Sequence, residues 1–316
     1  MPVRVAVTGG TGFVGRHLAR ALVGGGHEVI LLARGIDRRD PSVCQIPNTR
    51  LFRSDLSSIG ELTAAFASCG AVAHCAGINC ETGNQTYKRV HIQGTQTVVE
   101  AARRVGVGKI LLLSFLRARP RCGSGYHESK WAAEELVRRS GLDYTIIKAG
   151  MIYGRGDHML DHLSRALDAF PFFALVGFGD KPVRPLAIED LTRVLVAALI
   201  EARLSRQTVA IVGPEQMPLS EAVRRVGRVI GRSPICLPLP VAAHRLFARI
   251  FEATMNAPLV SRAQVRILAE GFTEPWPPYQ ELPDDLLPTI RFTPEQIRLG
   301  LPEPKRLRKG DLRCRR

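Results

Sequence analysis

Two side chains that could exchange a proton with a substrate lie four residues apart, at Tyr126 and Lys130. On a helix this spacing puts both on one face, about 6 Å apart along the axis. A free tyrosine has a pKa of about 10 and is a poor base at neutral pH. A neighbouring ammonium favours the phenolate, so we expect Lys130 to lower the pKa of Tyr126. The pair therefore predicts acid–base chemistry on a hydroxyl or carbonyl group.

A run of glycines follows the first apolar segment of the chain. Residues 8–15 read Thr-Gly-Gly-Thr-Gly-Phe-Val-Gly, with Gly9, Gly12 and Gly15 three residues apart. Gly9 permits a tight turn, Gly12 lets the backbone approach a pyrophosphate, and Gly15 lets a helix pack closely on a strand. The N–H groups and positive end of that helix would bind the phosphates of a nicotinamide dinucleotide. The residues expected at this contact are Gly9, Thr11, Gly12, Phe13, Val14 and Gly15.

The residue at the end of the second apolar segment indicates which dinucleotide is bound. Sites that prefer NAD usually carry a carboxylate about 20 residues past the glycines, where it holds the ribose hydroxyls. This chain has Arg34 there. A guanidinium suits a 2′-phosphate, so we predict NADP(H) over NAD(H). Asp37, three residues later, keeps NAD(H) open as the alternative.

Apolar strands alternate with helical patterns over the first half of the chain. The predicted strands are Val3–Val7, Glu28–Ala33, Arg50–Ser54, Ala71–Cys75, Lys109–Phe115 and Tyr144–Lys148. The helices predicted between them include Gln85–Val105 and Ser124–Arg139. This alternation predicts an α/β Rossmann fold, a doubly wound parallel sheet with helices on both faces. Ligands on such a sheet bind beyond the carboxyl ends of the strands.

The alternation loosens in the second half of the chain. We predict a Rossmann domain over 1–155, to whose sheet residues 186–213 return. A smaller, mainly helical substrate or partner lobe is expected over 156–302, and its segment Phe272–Pro288 is too rich in proline for regular elements. The last part, 303–316, is a basic tail that we expect to be disordered.

Composition excludes several classes of protein. The chain has 316 residues, 45% of them hydrophobic, and no apolar run reaches the length of about 18 residues that predicts a membrane span. The seven cysteines include no C-x-x-C pair, which favours a reducing cytoplasm over disulfides or a metal site. The formal net charge is +15, but no nucleic-acid-binding module is recognisable. We therefore predict a cytoplasmic protein whose basic tail could contact a membrane surface.

The motifs together resemble the short-chain dehydrogenase/reductase superfamily, in its extended and atypical branches. The resemblance covers about residues 3–302 and is carried by Thr8-Gly9-x-x-Gly12-x-x-Gly15, Asp55-Leu56, Ala76-Gly77 and Tyr126-x-x-x-Lys130. Three further segments look most similar to the group that includes the nucleotide-binding accessory subunit of respiratory complex I and bacterial epimerase/dehydratase-like relatives. They are Tyr126–Lys130, Met151–Gly154 and Ile188–Leu191.

The resemblance implies roles for particular residues. Asp55 and Leu56 would lie by the adenine, and the cofactor would be lined by Cys75, Ala76 and Gly77. Lys130 would hold the nicotinamide ribose while Tyr126 exchanges a proton with the substrate. The third catalytic member, a hydroxyl after the fifth strand, would be Ser114.

Three positions depart from the family pattern. Many extended members carry the working hydroxyl one or two residues after Ser114, where this chain has Phe115 and Leu116. His91 stands where Asn is common, and Lys148-Ala149-Gly150 replaces the usual Arg-Pro-Gly. These changes affect the expected proton relay more than the expected cofactor site.

Three functions remain open at this stage. The first is an NADP(H)-dependent oxidoreductase, epimerase or dehydratase acting on a small hydroxyl or carbonyl substrate. The second is a non-catalytic NADP(H)-binding accessory or assembly subunit of a respiratory, complex I-like assembly, in which the dinucleotide stabilises the fold. The third is a redox-sensing regulator. The Tyr126–Lys130 pair favours the first, whereas the basic tail and the altered positions favour the second.

Overall fold

The computed structural model describes residues 2–35, 41–254, 262–271 and 273–301. Two expectations, the alternative carboxylate Asp37 and the basic tail 303–316, lie outside these residues. The described strands, in chain order, are β1 (Arg4–Thr8), β2 (Glu28–Ala33), β3 (Thr49–Arg53), β4 (Ala71–His74), β5 (Lys109–Phe115), β6 (Asp143–Ala149), β7 (Ile152–Tyr153), β8 (Phe172–Val176), β9 (Pro182–Val183), β10 (Leu186–Ala187), β11 (Gln207–Ile211), β12 (Met217–Pro218) and β13 (Ile235–Leu239).

The α-helices among the described residues follow the same chain order. They are α1 (Phe13–Gly24), α2 (Ile59–Phe66), α3 (Gly94–Arg104), α4 (Gly125–Arg138), α5 (His158–Ala169), α6 (Ile188–Ile200), α7 (Leu219–Val229), α8 (Val241–Thr254), α9 (Arg262–Glu270) and α10 (Pro294–Gly300). Short 3-10 helices occupy Pro41–Gln45 and Asp284–Leu286, and a π-helix, Lys88–Gln93, directly precedes α3.

The chain divides into two units by its internal contacts. Unit 1 consists of Met1–Ala149, Ile188–Ile211 and Pro275–Pro288. Unit 2 consists of Gly150–Ala187, Val212–Glu274 and Thr289–Arg316.

Unit 1 is built on a seven-stranded sheet in the order β11-β6-β5-β4-β1-β2-β3, and every pairing in it is parallel. The strand order reverses between β1 and β4, which lie side by side with Val5 opposite Ala71. The predicted doubly wound α/β fold is therefore confirmed. The rule for such sheets puts a ligand at this switch point, beyond Thr8 and His74.

The core of unit 1 explains why these segments form a covered sheet. The central residues of β1, Val5 to Val7, are fully buried, as expected for a strand with helices on both faces. One side is filled by a cluster in which Leu62 and Phe66 of α2 pack with Val98 of α3 and Ile110 of β5. The periodic apolar residues of the helices thus hold the strands in one layer.

Two details of unit 1 differ from the sequence-based expectation. The predicted helix Gln85–Val105 is a π-helix followed by α3, because Gly94 continues the helical backbone at the junction. Of the proline-rich segment Phe272–Pro288, which we assigned to the second lobe, residues Pro275–Pro288 belong to unit 1. It is held there by Gln280, whose N–H donates to the Thr208 carbonyl at 2.7 Å and whose carbonyl accepts from Ala210.

Unit 2 combines short strand pairs with helices. Strands β8 and β13 are parallel, with Phe172 opposite Ile235, and β7 pairs with β10. A small core forms where Val176, Ala248 and Val265 meet. Among the described residues, no helix has both the length and the apolar character needed to cross a bilayer.

Candidate functional site

The glycine turn after β1 is closed so tightly that side chains are excluded. Gly9 has a φ of +67°, and a Cβ there would lie 2.9 Å from the Ala76 backbone. A Cβ on Gly15 would lie 2.3 Å from the Gly9 carbonyl oxygen, which also accepts the Gly12 N–H at 2.9 Å. The turn therefore packs against the end of β4 on one side and against the first turn of α1 on the other.

The N-terminus of α1 suits a phosphate group. The helix begins at Phe13 with Gly12 as its N-cap; no side chain caps it, and its first turn has no acidic residue. The N–H groups of this turn, which includes Val14, carry the positive end of the helix dipole. Thr11 ties the turn to the end of β2, because its hydroxyl donates to the Gly35 carbonyl at 2.9 Å. The backbone here fits the pyrophosphate of a dinucleotide.

Arg34 lies at the carboxyl end of β2, next to Gly35, and its side chain is exposed. Within the described part of the chain, its guanidinium forms no ion pair. A cation in this position could contact the adenosine end of a dinucleotide bound at the turn. This placement fits the predicted contact with a 2′-phosphate.

A buried histidine fixes the end of β4 against β1. His74 Nδ1 lies 2.6 Å from the Thr8 hydroxyl and Nε2 lies 3.0 Å from the Thr95 hydroxyl. Because Thr95 donates its own proton to the His91 carbonyl, Nε2 of His74 must be the donor. Burial and the nearby Lys130 lower the pKa of His74 to about 3. The imidazole is therefore neutral and acts as a structural hydrogen-bonding group.

A second buried histidine links the segment after β4 to the start of α4. His91 Nε2 accepts the Ile78 N–H at 3.1 Å, so Nδ1 carries the proton and donates to Ser129 Oγ at 2.8 Å. Ser129 in turn donates to the Tyr126 carbonyl at 3.0 Å. Burial lowers the pKa of His91 to about 2, with further contributions from Lys130 and His74. A neutral imidazole therefore joins the expected cofactor loop to the helix that carries Tyr126.

Lys130 reaches the same segment from α4. Its Nζ donates to the Leu113 carbonyl at 3.2 Å and lies 3.1 Å from where a Cβ on Gly77 would be. Burial lowers the pKa of Lys130 to about 8, although Cys75 and Glu134 act in the opposite direction. The ammonium thus lies at the carboxyl ends of β4 and β5, beside the predicted lining residues Cys75, Ala76 and Gly77.

Tyr126 lies in the first turn of α4, and aromatic rings surround it. Its ring centroid is 5.3 Å from that of Phe115, 5.7 Å from Tyr87, and 5.9 Å from both His91 and His127. Burial raises the pKa of Tyr126. This direction is opposite to the lowering that we predicted from Lys130, because loss of solvent around the phenol disfavours its ionised form. Tyr126 is a neutral phenol at physiological pH.

The hydroxyl of Ser114 already forms a hydrogen bond to a buried carboxylate. Its hydroxyl donates to Glu134 Oε1, and Glu134 also pairs with Lys148 at 3.3 Å and with Arg138 at 2.7 Å. Glu134 and Lys148 are fully buried. The catalytic role of Ser114 stays a prediction, and the hydroxyl serves here to satisfy a buried carboxylate.

Asp55 and Leu56 follow β3, where the resemblance implies the adenine. Asp55 forms an ion pair with Arg89 at 2.8 Å and accepts from Ser57. Hydrogen bonds from Ser57, together with Arg89, lower the pKa of Asp55. Leu56 is buried with a φ of +69° and packs against Gly94. Asp55 and Leu56 are therefore both held by contacts beside the π-helix.

The two histidines are the part of the site that sequence reasoning missed. His74 was given no role, and His91 was noted only as a departure from Asn. Their partners lie 13 to 66 residues away in sequence, so no local pattern reveals them. The position of His74 near the end of the predicted buried strand Ala71–Cys75 was the available signal.

The comparisons with known proteins agree with this geometry. The model of the family described as NAD(P)H-binding matches residues 9–166, half of the chain, which include the glycine turn and the Tyr126–Lys130 pair. The mouse mitochondrial NADH dehydrogenase [ubiquinone] 1 alpha subcomplex subunit 9 is 25% identical over 83% of this chain and 71% of its own length.

Two bacterial relatives differ in how much of them the chain covers. Ceramide reductase of Caulobacter vibrioides is 29% identical over 75% of this chain and 73% of its own length. An uncharacterised protein of Mycobacterium tuberculosis is 26% identical over 87% of this chain but only 28% of its own length. The chain therefore spans little more than a quarter of that longer relative.

A solved structure shows the same fold. The UDP-glucuronic acid 4-epimerase of Bacillus cereus, in complex with UDP-glucuronic acid and NAD, superposes with a TM-score of 0.69 at 19% identity, covering 94% of this chain and 97% of the epimerase. The resemblance drawn from the motifs is confirmed at the level of fold and dinucleotide binding. The chain belongs to the NAD(P)H-binding family.

Proposed function

We propose that this chain is an NADP(H)-dependent reductase that converts a carbonyl group into an alcohol. One observation carries the proposal. The neutral phenol of Tyr126 and the ammonium of Lys130 lie on one helix, at the carboxyl ends of the strands, where the glycine turn also follows β1. A phenol that burial keeps protonated holds the proton that an oxygen needs when a carbonyl is reduced. Because the raised pKa makes it a weaker acid, release of this proton requires a positive charge that stabilises the phenolate.

The residues that would hold the cofactor fit it. The turn and the first turn of α1 would bind the pyrophosphate, Arg34 the 2′-phosphate, and Lys130 the nicotinamide ribose. The reduced nicotinamide supplies the hydride. Arg34 at the end of β2, where sites that prefer NAD usually carry a carboxylate, supports NADP(H) as the preferred form.

The protein groups have distinct tasks in this reaction. Tyr126 donates its proton to the substrate oxygen. The positive charge of Lys130 stabilises the phenolate that remains, since an ammonium nearby favours the ionised phenol. His91 and Ser129 hold the carbonyl of Tyr126 and the N–H of Ile78, so they keep the acid in register with the segment after β4.

The unit 1 side chains that surround Tyr126 favour a substrate whose carbonyl group carries apolar substituents. Phe115 is packed against the phenol. Two serine hydroxyls of the surrounding segments already form hydrogen bonds within the protein. Ser114 bonds to Glu134, and Ser124 to His127. A polyhydroxylated sugar would need free polar partners here. The ceramide reductase relative supports a reductase acting on a largely apolar molecule.

The experiment is to purify the chain and identify any bound dinucleotide by mass. NADPH oxidation is then measured with a series of aliphatic ketones and aldehydes of increasing chain length, and with a UDP-4-keto sugar as the polar comparison. We expect NADP(H) to be found and kcat/KM to rise with chain length. Preferred turnover of the sugar nucleotide would remove the apolar substrate from the proposal, and absence of any turnover would remove the reductase.

A second function is favoured by the state of Ser114. Because its hydroxyl is committed to Glu134, the chain lacks a free hydroxyl at the position where the family pattern has a third catalytic member. A non-catalytic subunit of a larger assembly would need only the cofactor site, with the dinucleotide stabilising the fold by linkage. This alternative predicts that NADPH raises the melting temperature while Tyr126→Phe changes neither that shift nor any activity.

A further inference from the structure

Helix α8 of unit 2 carries buried, exposed apolar and exposed basic side chains, and each kind recurs at four-residue spacing. His244 and Ala248 are buried, and His244 Nε2 lies 3.3 Å from the Ala174 carbonyl oxygen of β8. These two residues define the inner face of the helix. Residues four apart share a face, so the positions on either side of them form separate stripes along the helix.

The outer stripes are apolar and basic. Leu246 is 57% exposed, Ile250 46% and Phe247 43%. Arg245 and Arg249 form the adjacent exposed stripe. Within the described residues neither guanidinium forms an ion pair, whereas many arginines of this chain, such as Arg225 with Glu215, do. The sequence of α8 contains one acidic residue, Glu252, against the two arginines.

We propose that this outer face of α8 lies on an anionic membrane surface. Leu246, Phe247 and Ile250 enter the boundary between headgroups and acyl chains, while Arg245 and Arg249 contact lipid phosphates. Helices that lie in a membrane interface combine an apolar stripe with basic residues in this way. The formal net charge of +15 adds attraction to an anionic surface.

Charge also argues against a second copy of the chain as the occupant. In a symmetric contact the same patch faces itself. Two copies would bring four guanidinium groups together with only the two Glu252 residues of α8 to balance them, which costs electrostatic free energy. Lipid phosphates supply the negative charge that the face lacks.

The test is binding of the 316-residue chain to vesicles of phosphatidylcholine with phosphatidylserine, compared with vesicles of phosphatidylcholine alone. The basic segment Lys305–Arg316 is kept in every variant, so differences report on α8. Arg245→Gln/Arg249→Gln should weaken binding to the anionic vesicles about 25-fold, since each basic residue near such a surface contributes roughly a factor of five. Leu246→Ser/Ile250→Ser should weaken it by at least about tenfold.

Matched controls separate α8 from charge and hydrophobicity in general. Arg50→Gln/Arg103→Gln removes two exposed arginines of unit 1, and Leu299→Ser removes an exposed leucine of α10. Both should bind vesicles like the unmodified chain, and all variants should keep NADPH affinity. Equal losses in control and α8 variants, or no preference for anionic vesicles, would overturn the proposal. So would a dimer in solution that Leu246→Ser/Ile250→Ser converts to a monomer.

Discussion

The Nζ of Lys130 and the backbone of Gly77 approach so closely that a Cβ on Gly77 would lie 3.1 Å from the amine. The Nε2 of His91 lies 3.4 Å from the same point. Gly77 thus leaves room for the amine, in addition to its predicted place in the lining of the cofactor. The absence of a side chain there lets an ammonium and an imidazole converge on the end of β4.

Gly77→Ala should therefore impair catalysis by displacing Lys130. The methyl group is small and the amine is the end of a flexible side chain, so we expect the fold to survive. The amine has to give way by a few tenths of an ångström; since a displacement of about 1 Å can cost roughly a hundredfold in rate, we expect a loss of about three- to tenfold in kcat/KM for carbonyl reduction. Gly60→Ala, at a position with open space around it, is the control. Equal activity of the two variants would contradict the inferred role.

Gly15→Ala should abolish the cofactor site while Gly24→Ala should spare it. Both glycines lie in α1, but a Cβ on Gly15 would be 2.3 Å from the Gly9 carbonyl oxygen, whereas one on Gly24 meets nothing within 4 Å. The backbone of the turn must open to admit the methyl group. We expect NADPH affinity, measured by calorimetry, to fall by more than about tenfold for Gly15→Ala alone. Similar affinities would show that the turn does not hold the dinucleotide.

Arg34→Ala should change cofactor preference. A hydrogen bond to a charged group contributes about 1.5 to 3 kcal/mol, so NADPH affinity should fall roughly ten- to a hundredfold. NADH, which lacks the 2′-phosphate, should bind as before. Arg53→Ala, an exposed arginine at the end of the neighbouring strand β3, serves as the control. An equal loss for both dinucleotides would remove the argument for NADP(H).

The buried histidines should make the fold sensitive to acid. Burial lowers the pKa of His74 to about 3 and that of His91 to about 2, from 6.5 in a free side chain. Between the unfolded and folded values the unfolded chain binds more protons, so the free energy of unfolding decreases as pH falls below 6.5. The slope is about 1.4 kcal/mol per pH unit for each histidine.

The measurement is urea unfolding of the chain and of His91→Gln at several pH values between 7.5 and 5. The glutamine does not titrate, so its variant should show a slope smaller by about 1.4 kcal/mol per pH unit, whatever its stability at neutral pH. Identical slopes would mean that His91 is not a buried neutral imidazole.

The features that the sequence predicted correctly are local ones. The strands β2 and β5 were predicted at their observed limits, and the glycine turn lies between β1 and α1 as expected, because apolar periodicity and glycine spacing act over a few residues. The bonds of His74 and the partner of Ser114 depend on residues distant in sequence. The sign of the Tyr126 shift was wrong because the four-residue spacing to Lys130 contains no information about burial.

The proline-rich segment illustrates the same limit. Its lack of periodicity was read correctly as irregular structure, but Gln280 joins it to β11 by two backbone hydrogen bonds. Backbone pairing between an irregular segment and an edge strand leaves no pattern in the side chains. The sequence therefore could not show that this segment belongs to unit 1.

The most direct test of the account is the activity of Tyr126→Phe beside Tyr87→Phe. Both variants remove one phenolic hydroxyl from rings whose centroids are 5.7 Å apart, and the Tyr87 hydroxyl donates to the Asn79 carbonyl. For Tyr126→Phe we predict a loss of about 10² to 10⁴ in kcat for carbonyl reduction with unchanged NADPH affinity. Tyr87→Phe should retain most of the activity. Full activity of Tyr126→Phe would contradict the account, because the proton would then come from elsewhere.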